Sequence, residues 1–298
     1  MNSIVEVKGL TKKYRDQTAV NDVSFELEAN KIYGLLGRNG AGKTTIMHMI
    51  TAQAFPTSGE LKVFGENPYE NNRVLSRMCF IKESQRYPDN YRVVDVLDIS
   101  ATLFPNWDRE FAYALVEDFR LPLKRRMKKL SRGMLSSVGI IVGLASRAPL
   151  TIFDEPYLGL DAVARSLFYD RLLEDYAENP RTVVLSTHLI DEVSKLLEHV
   201  IVIDNGVLIL NEDAEEIRGQ ASTVVGAAAK AEAFAIGRTI IHRESMGGLA
   251  SVTFMGRLDP EDRKQAEQMG LEIAPVSLQQ LVVHLTKSNP GNREAVSL

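Results

Sequence analysis

Short apolar runs alternate with longer stretches of helical periodicity along most of this chain. Within residues 1–211, the runs that predict strands are 4–7, 23–27, 32–36, 61–64, 151–153, 182–186 and 200–203. Helical patterns lie between them, including 92–119, which is broken at Pro105-Asn106. Asn106 or Asp108 is placed to cap the second helix of that stretch. Strands that alternate with helices predict a largely parallel sheet covered on both faces, which is the α/β class.

The middle and the end of the chain depart from this alternation. Residues from about 84 to 147 are mostly helical, so we expect a helical subdomain inserted within an α/β domain that spans residues 1–211. The composition changes near Asn211. Residues 222–287 then follow the order strand, helix, two strands, helix, strand, helix, which predicts a separate small α+β domain. The polar residues 288–298 are expected to form a flexible tail.

The composition limits the class of protein but does not indicate which reaction it catalyses. Hydrophobic residues make up 45% of the 298 residues and charged residues 25%, as in an ordinary soluble globular protein. The net charge of −4 argues against nucleic acid as the main partner. No run of 18 apolar residues is present and residues 1–10 lack a signal-peptide core, so we expect any membrane role to come through another polypeptide. Cys79 is the only cysteine, which excludes an intrachain disulfide and suits a reducing compartment.

A glycine-rich loop follows the predicted strand 32–36. Residues 37–45 match the pattern G-x-x-x-x-G-K-[ST] in full and lead into a helical pattern. Backbone N–H groups and a helix N-terminus make such a loop a cradle for phosphates, and glycines let the backbone approach closely. We expect Lys43 to reach the β- and γ-phosphates of ATP and the Thr44 hydroxyl to hold Mg²⁺. The residues predicted to bind the nucleotide here are Gly37, Asn39, Gly40, Ala41, Gly42, Lys43, Thr44 and Thr45.

Two acidic residues end the apolar run 150–155, in the second half of the same domain. Asp154 and Glu155 follow a strand pattern that reads as buried, where an unpaired charge is costly. We expect Asp154 to bind Mg²⁺ and Glu155 to act as general base on an attacking water; the alternative is an ordinary pair of acids on a surface turn. His188 follows the next strand. We expect it to hydrogen-bond the γ-phosphate and that water, although a histidine at a strand end often has only a structural role.

In this order, the motifs resemble the nucleotide-binding subunit of ABC transporters over roughly residues 3–211. The resemblance implies a P-loop NTPase core of the ABC type, with Tyr14 as the aromatic residue that stacks on adenine. The segment 130–134 resembles the family's signature loop, and the segment 157–161 resembles its D-loop, so the resemblance implies that Asp161 also contacts nucleotide. The family binds each ATP between two protomers. Ser131 and Gly133 are therefore expected to contact the γ-phosphate held by a second ATPase subunit, which is another copy of this chain or a sister chain.

Two loops depart from the family pattern. The signature loop, usually Leu-Ser-Gly-Gly-Gln, has Arg132 and Met134 at its third and fifth positions. Arg132 adds positive charge to an anion site at a helix N-terminus, and Met134 removes one polar contact. The family's Q-loop glutamine is replaced by Glu83 if the spacing is followed; Gln85, two residues later, is the alternative. We expect Glu83 to act as a Mg²⁺ ligand because a carboxylate suits that ion.

The resemblance also implies partners. In the family, the segment after the Q-loop docks a helix of a separate multi-span permease. Four aromatic residues of this segment either line that groove or pack the core of the helical subdomain: Tyr87, Tyr91, Phe104 and Trp107. The small C-terminal domain and the degenerate signature most resemble bacterial exporter ATPases for drugs, peptides or antibiotics, which work at the cytoplasmic face of the membrane. The alternatives are a soluble ABC-type ATPase that acts on ribosomes or DNA and a slow nucleotide switch.

Overall fold

A computed structural model describes residues 3–83 and 85–287 as two compact units. The first unit comprises the described parts of Met1–His188 and Leu196–Asn211. The second comprises Leu189–Lys195 and the described part of Glu212–Leu298. No helix within these described residues is both long enough and apolar enough to cross a bilayer. The predicted tail, 288–298, lies outside the described residues.

The first unit contains all seven strands that the sequence predicts for this part of the chain. In chain order, its elements are β1 (Ser3–Tyr14), β2 (Gln17–Glu28), β3 (Ile32–Leu36), α1 (Lys43–Ile50), β4 (Ser58–Val63), α2 (Asn72–Leu75), β5 (Met78–Ile81), α3 (Val93–Leu103), α4 (Arg109–Asp118), a 3₁₀ helix (Met127–Lys129), α5 (Arg132–Ala145), β6 (Leu150–Asp154), α6 (Ala162–Glu178), β7 (Thr182–Thr187), β8 (His199–Asp204) and β9 (Val207–Asp213).

A six-stranded sheet runs through this unit in the order β5-β6-β7-β3-β8-β9. Neighbouring strands from β5 to β8 run parallel, which confirms the prediction of a largely parallel sheet. Every residue of β3, β6 and β7 is buried, and for that reason these strands appear in the sequence as nearly continuous apolar runs. The carboxyl ends of these three adjacent strands lie at one edge, so the segments that follow them converge there.

A second sheet in the same unit was not predicted. β1 pairs antiparallel with β2 and with β4, in the order β2-β1-β4. Val7, Leu10 and Val23 from this sheet belong to a buried cluster that also includes side chains of α1 and the central sheet. Alternation of polar and apolar residues identifies a strand and its buried face, but it does not identify the neighbouring strand.

Helices α3, α4 and α5 occupy the chain between β5 and β6, where the sequence predicts helices. Of the two candidate caps for α4, the structure selects Asp108, whose carboxylate accepts a hydrogen bond from the N–H of Phe111 (2.8 Å). The side chain of Asn106 instead donates to the carbonyl of Arg147 (3.2 Å). The second half of α5 is buried, which fits its apolar composition.

The second unit has its own sheet and core. Its elements are α7 (Ile190–Val193), α8 (Ala214–Ile217), β10 (Ala221–Ala227), α9 (Ala228–Phe234), β11 (Thr239–Met246), β12 (Leu249–Met255), α10 (Pro260–Gln268), β13 (Glu272–Pro275) and α11 (Leu278–Lys287). The antiparallel sheet has the order β11-β12-β10-β13, and its fully buried residues include Val224, Val252 and Phe254, which cluster with Phe234 of α9 and Ala266 of α10. The order of elements from β10 to α11 is the predicted one.

Candidate active site

The glycine-rich loop connects the central strand β3 to the N-terminus of α1. Gly37 has φ +145°, and a Cβ placed on it would lie 2.1 Å from the carbonyl oxygen of Ile203. Gly42 has φ +109°, and its Cβ would lie 2.5 Å from the carbonyl oxygen of Ala19. Both positions combine a left-handed backbone with close contact to another backbone segment, so only glycine fits them.

One backbone hydrogen bond joins this loop to the turn between β8 and β9, and another joins that turn to β2. The N–H of Gly206, in the turn between β8 and β9, donates to the carbonyl of Ala41 (2.8 Å). The carbonyl of Gly206 in turn accepts from the N–H of Asn21 in β2 (2.8 Å). A further bond runs within the loop from the N–H of Ala41 to the carbonyl of Arg38 (3.1 Å). The loop is therefore supported by the antiparallel sheet on one side and by the central sheet on the other.

Lys43 lies buried at the start of α1 and points its ammonium group into the loop. Nζ donates to the carbonyl oxygens of Gly37 (2.7 Å) and Arg38 (3.2 Å). Burial lowers the pKa of Lys43 below its ordinary value, while the nearby carboxylates of Glu155 and Asp154 act in the opposite direction. A buried cation of this kind gains from an additional anion, so the loop suits a phosphate group.

Thr44 and Asp154 bring two oxygen groups together beside the loop. The Thr44 hydroxyl donates to Oδ2 of Asp154 (2.9 Å), and Asp154 is the buried last residue of β6. A hydroxyl and a carboxylate are hard oxygen ligands, which fit Mg²⁺. Across residues 3–83 and 85–287, no group of three or more His, Cys, Asp or Glu side chains could hold a metal by itself. A Mg²⁺ ion here would therefore need phosphate oxygens and water as further ligands.

Glu155 and His188 lie next to each other at the ends of β6 and β7. Nδ1 of His188 is 2.8 Å from Oε2 of Glu155. Glu155 has a left-handed backbone (φ 49°), and its N–H donates to the carbonyl of Ser186 in β7 (3.1 Å). A non-glycine residue in this conformation costs free energy, and such strain is found most often at functional sites.

A third side chain joins this pair and was missed as a site residue by the sequence analysis. The hydroxyl of Tyr157 donates to Oε2 of Glu155 and lies 3.2 Å from Nδ1 of His188. The sequence placed Tyr157 only within the loop 157–161. Its position two residues after Glu155 gives no signal that its side chain turns back towards the carboxylate.

An open cleft of about 580 Å³ collects most of the predicted site residues. Its walls include Tyr14, Asn39, Gly40, Ala41, Gly42, Lys43, Thr44, Thr45, Glu83, Asp154, Glu155 and His188. Gln17, Ala19 and Leu158 also line it and were not predicted. Of the two candidates for the Q-loop residue, Glu83 lines the cleft and Gln85 does not. One cleft therefore holds a phosphate-binding loop, a pair of metal-binding oxygens and a carboxylate paired with a histidine.

Four predicted nucleotide-binding residues lie outside the wall of this cleft: Gly37, Ser131, Gly133 and Asp161. Ser131 caps α5, and its hydroxyl oxygen accepts from the N–H of Met134 (3.2 Å). Asp161 caps α6 by accepting from the N–H of Ala164 (2.9 Å). Both residues thus have a local structural role, and their predicted contact with a nucleotide requires one that is held elsewhere.

The signature loop and the D-loop pack against each other. A Cβ on Gly133 would lie 2.5 Å from the carbonyl oxygen of Gly159. The hydroxyl of Ser136 donates to the carbonyl of Leu158 (2.7 Å). These contacts leave no room for a side chain at position 133 and explain why glycine is needed there.

Two of the three residues that depart from the family pattern form an ion pair. Nη2 of Arg132 lies 2.9 Å from Oε1 of Glu83, and the two side chains keep 64% and 44% of their surface exposed. Glu83 therefore has a cationic partner at the edge of the cleft, and its predicted role as a Mg²⁺ ligand stays a prediction.

An apolar groove of about 240 Å³ lies between β5, α3 and the segment that connects them. Three of the four predicted aromatic residues line it: Tyr87, Tyr91 and Phe104. Trp107 is not part of its wall. Ile99 and Leu103 of α3 also line the groove and keep exposed surface, Leu103 at 62%.

Comparison with known proteins assigns the chain to a family. A family model described as ABC transporter matches residues 20–158. The bacitracin transport ATP-binding protein BcrA of Enterococcus faecalis is 33% identical over 220 residues, which cover 73% of this chain and 71% of that protein. The ABC transporter ATP-binding protein YtrB of Bacillus subtilis (strain 168) is 25% identical over 215 residues, or 72% of this chain and 74% of that protein.

Solved structures agree with the sequence comparison. The structure of an ATP-binding subunit of an ABC transporter covers 72% of this chain and 91% of its own length, with 26% identity and a TM-score of 0.66. A nucleotide-free ATP-binding cassette from an ABC transporter matches with 20% identity and a TM-score of 0.60, over 72% of this chain and 93% of that one, which supports the P-loop NTPase fold alone. The chain therefore belongs to the ATP-binding subunits of the ABC transporter family, which hydrolyse ATP to drive transport.

Proposed function

We propose that this chain binds Mg-ATP in the cleft at the ends of β3, β6 and β7 and hydrolyses it as one member of an ATPase pair. The observation that carries the proposal is the 2.8 Å contact between Glu155 and His188 in the same cleft as Lys43. A carboxylate base, a phosphate-binding cation and a pair of metal-binding oxygens in one cleft favour transfer of a phosphoryl group to water.

The phosphate loop binds the triphosphate. Lys43 now donates to two carbonyl oxygens of its own loop, and phosphate oxygens would take their place. Loop N–H groups and the N-terminus of α1 add further positive potential. Thr44 and Asp154 would hold Mg²⁺, and the ion would neutralise negative charge on the phosphates.

Glu155 accepts a proton from the attacking water. The water oxygen forms a bond to the γ-phosphorus, the bond from that phosphorus to the bridging oxygen breaks, and ADP leaves with the electron pair. His188 uses Nδ1 to contact Glu155, so Nε2 is the ring nitrogen that remains for the γ-phosphate. If Nδ1–H donates to the carboxylate, Nε2 donates to phosphate only when the ring carries a second proton.

A second ATPase subunit completes the site in this proposal. Ser131 and Gly133 lie outside the cleft of their own chain, next to the N-terminus of α5. A serine hydroxyl and a helix N-terminus suit the γ-phosphate of a nucleotide held by another subunit. ATP would then make contacts in the closed pair that it lacks in the open pair, and only such differential contacts shift the equilibrium between the two.

A membrane permease is the partner that would respond when the ATPase pair closes and opens. The apolar groove with Tyr87, Tyr91 and Leu103 suits an apolar helix of such a subunit, and the chain would work at the cytoplasmic face of the membrane. BcrA, the relative named for bacitracin transport, supports a transporter. A further relative, Nod factor export ATP-binding protein I of Ralstonia nicotianae, is 33% identical over 68% of this chain and supports an exporter.

Substitution of Glu155 tests the chemistry. We expect Glu155→Gln to bind ATP while turnover falls by about 10²–10⁴-fold, because a glutamine does not accept the proton of the water. Glu117→Gln in α4, an exposed glutamate away from the cleft, is the matched control and keeps full activity. ATP hydrolysis by Glu155→Gln within about threefold of the native rate would show that Glu155 is not the base.

The dependence of the rate on protein concentration tests the pair. The specific activity of the isolated chain should rise with its concentration if two protomers share each ATP. A constant rate from a monomer of proven size would contradict the shared site. Co-purification with a multi-span membrane protein would separate transport from a soluble ATPase or a nucleotide switch.

A further inference from the structure

The side chain of Tyr157 occupies the space between the two predicted catalytic groups. It is 3% exposed. Its hydroxyl donates to Oε2 of Glu155 and accepts from the hydroxyl of Thr187 (2.7 Å) and from the N–H of His188 (3.1 Å). The ring also packs edge-on against the imidazole of His188, with ring centres 5.7 Å apart.

These contacts use every hydrogen-bonding position of the phenol. A tyrosine hydroxyl has one proton to donate and two lone pairs that accept. Thr187 and the His188 backbone take the lone pairs, so the proton is directed to Glu155. Burial, and next the hydrogen bond to Glu155, raise the pKa of Tyr157 well above its ordinary value. The phenol therefore keeps its proton at neutral pH and acts as a donor.

The hydrogen bond from Tyr157 determines which carboxylate oxygen of Glu155 faces a water. Oε2 receives both Tyr157 and Nδ1 of His188. The other oxygen, Oε1, is then available to accept from a water in the cleft that Glu155 lines. The same arrangement fixes the imidazole ring, because its Nδ1 contacts the carboxylate and the imidazole packs against the ring of Tyr157.

We propose that Tyr157 is a positioning residue of this ATPase, which holds Glu155 and His188 in the arrangement that hydrolysis requires. The inference rests on the proposed roles of Glu155 and His188. Tyr157 does not touch the nucleotide in this scheme; it acts through the carboxylate and the ring. Strand β7 contributes the Thr187 hydroxyl that orients the phenol, so the end of that strand sets the position of both groups.

The substitution Tyr157→Phe tests this, because it removes the hydroxyl and keeps the ring. We expect kcat to fall by about 10- to 100-fold, since a small displacement of a reacting group has effects of this size. The dissociation constant for ATP should stay within about twofold, because the phosphate loop and Tyr14 are untouched. A kcat within about twofold of the native value, in a variant with native thermal unfolding, would overturn the proposal.

Tyr176→Phe is the matched control. The hydroxyl of Tyr176 also lies within hydrogen-bond distance of a glutamate, 2.7 Å from Oε2 of Glu198, and 2.7 Å from the carbonyl oxygen of Asn30; its single proton serves one of these acceptors at a time, and neither residue lines the cleft. This variant loses a bond of the same kind at a distance from the chemistry, so we expect native kcat. An equal loss of kcat in both variants would assign the effect to general destabilisation and overturn the positioning role.

The double variant Glu155→Gln with Tyr157→Phe separates positioning from other roles. Removal of Tyr157 should lower the slow single-turnover rate of Glu155→Gln by clearly less than in the native background, because only its contact with His188 still matters there. A further loss equal to that in the native background would show an independent role and overturn the proposal. Near-native activity of Glu155→Gln alone would refute the proposed base. Native kcat in Tyr157→Phe alone would refute only the positioning role of Tyr157, so the two failures are distinguishable.

Thr187→Val provides a second route if Tyr157→Phe does not fold. Valine keeps the shape of the buried threonine and removes the donor that orients the phenol. We expect kcat to fall by about threefold with unchanged ATP affinity, a smaller effect because the bond from Tyr157 to Glu155 remains. A folded Thr187→Val variant with native kcat would overturn the proposal.

Discussion

The two halves of the proposed ATP site differ in burial. On the phosphate side, Lys43, Asp154 and Glu155 are 6%, 6% and 9% exposed. On the signature side, the side chains of Arg132 and Glu83 are 64% and 44% exposed. The buried half matches the family pattern in the loop 37–45 and at Asp154-Glu155, whereas the departures Arg132 and Glu83 lie in the exposed half.

This difference in burial shows that a single chain completes the phosphate half of the site and leaves the signature half open. Lys43 and Asp154 each have a partner within their own chain, which is the carbonyl of Gly37 for Lys43 and the Thr44 hydroxyl for Asp154. A buried group tolerates little change because an unpaired polar atom there is costly. Arg132 and Glu83 are held mainly by each other in water, so they can be exchanged as a pair at small cost. The exposed half is the one that a second subunit would cover.

The largest effect is expected from Lys43→Met, which keeps the apolar stem and removes the ammonium. Turnover should fall by about 10²–10³-fold, because a fixed cation at the phosphates is lost. Lys62→Met, at an exposed position in β4, is the control and should be neutral. ATP titration and steady-state hydrolysis measure the effect. Native turnover by Lys43→Met would remove the reason for treating the buried half as the phosphate site.

An intermediate effect is expected from Gly133→Ala. The new Cβ would lie 2.5 Å from the backbone oxygen of Gly159, so the signature loop or the D-loop must move. We expect a loss of about 1–3 kcal/mol in the free energy of unfolding, measured by chemical denaturation. Gly248→Ala, with no atom within 4 Å of its Cβ, is the control. An unchanged free energy for Gly133→Ala would show that the two loops are not packed tightly.

The smallest effect on stability is expected from the ion pair. Glu83→Gln and Arg132→Ala should each change the free energy of unfolding by no more than about 1 kcal/mol, because both side chains are exposed. Their effects on metal dependence should differ. Glu83→Gln should raise the Mg²⁺ concentration for half-maximal hydrolysis about threefold if its carboxylate helps hold the ion. Arg132→Ala should not raise it. An unchanged Mg²⁺ requirement in Glu83→Gln would exclude Glu83 as a ligand.

The sequence reveals the central sheet because its strands are buried on both faces. β3, β6 and β7 form nearly continuous apolar runs, and the residues of the proposed chemistry lie at or just after the carboxyl end of each strand. A glycine pattern at the end of one strand and acids at the end of another are local signals. They identify their own chemistry without knowledge of the neighbouring strand.

The features that the sequence did not reveal all depend on contacts between distant segments. The antiparallel pairing of β1 with β2 and β4 is one example, because a period of two specifies a face and not a partner. The Arg132–Glu83 pair joins residues that are 49 positions apart. Tyr157 is near Glu155 in sequence, but its role depends on Thr187 and His188 from another strand.

The contacts of Gly206 and Ala19 with the phosphate loop affect how fast and how tightly the chain binds a nucleotide. The loop is already confined by neighbouring backbone through Gly37, Ala41 and Gly42. The conformational entropy cost of ordering the loop, roughly 1–2 kcal/mol for each residue fixed, is therefore part of the free energy of folding. It does not arise a second time when a ligand binds. A binding site that is already rigid loses less of its interaction free energy to ordering, so its measured affinity is higher. The chain is thus ready for a triphosphate as soon as it has folded.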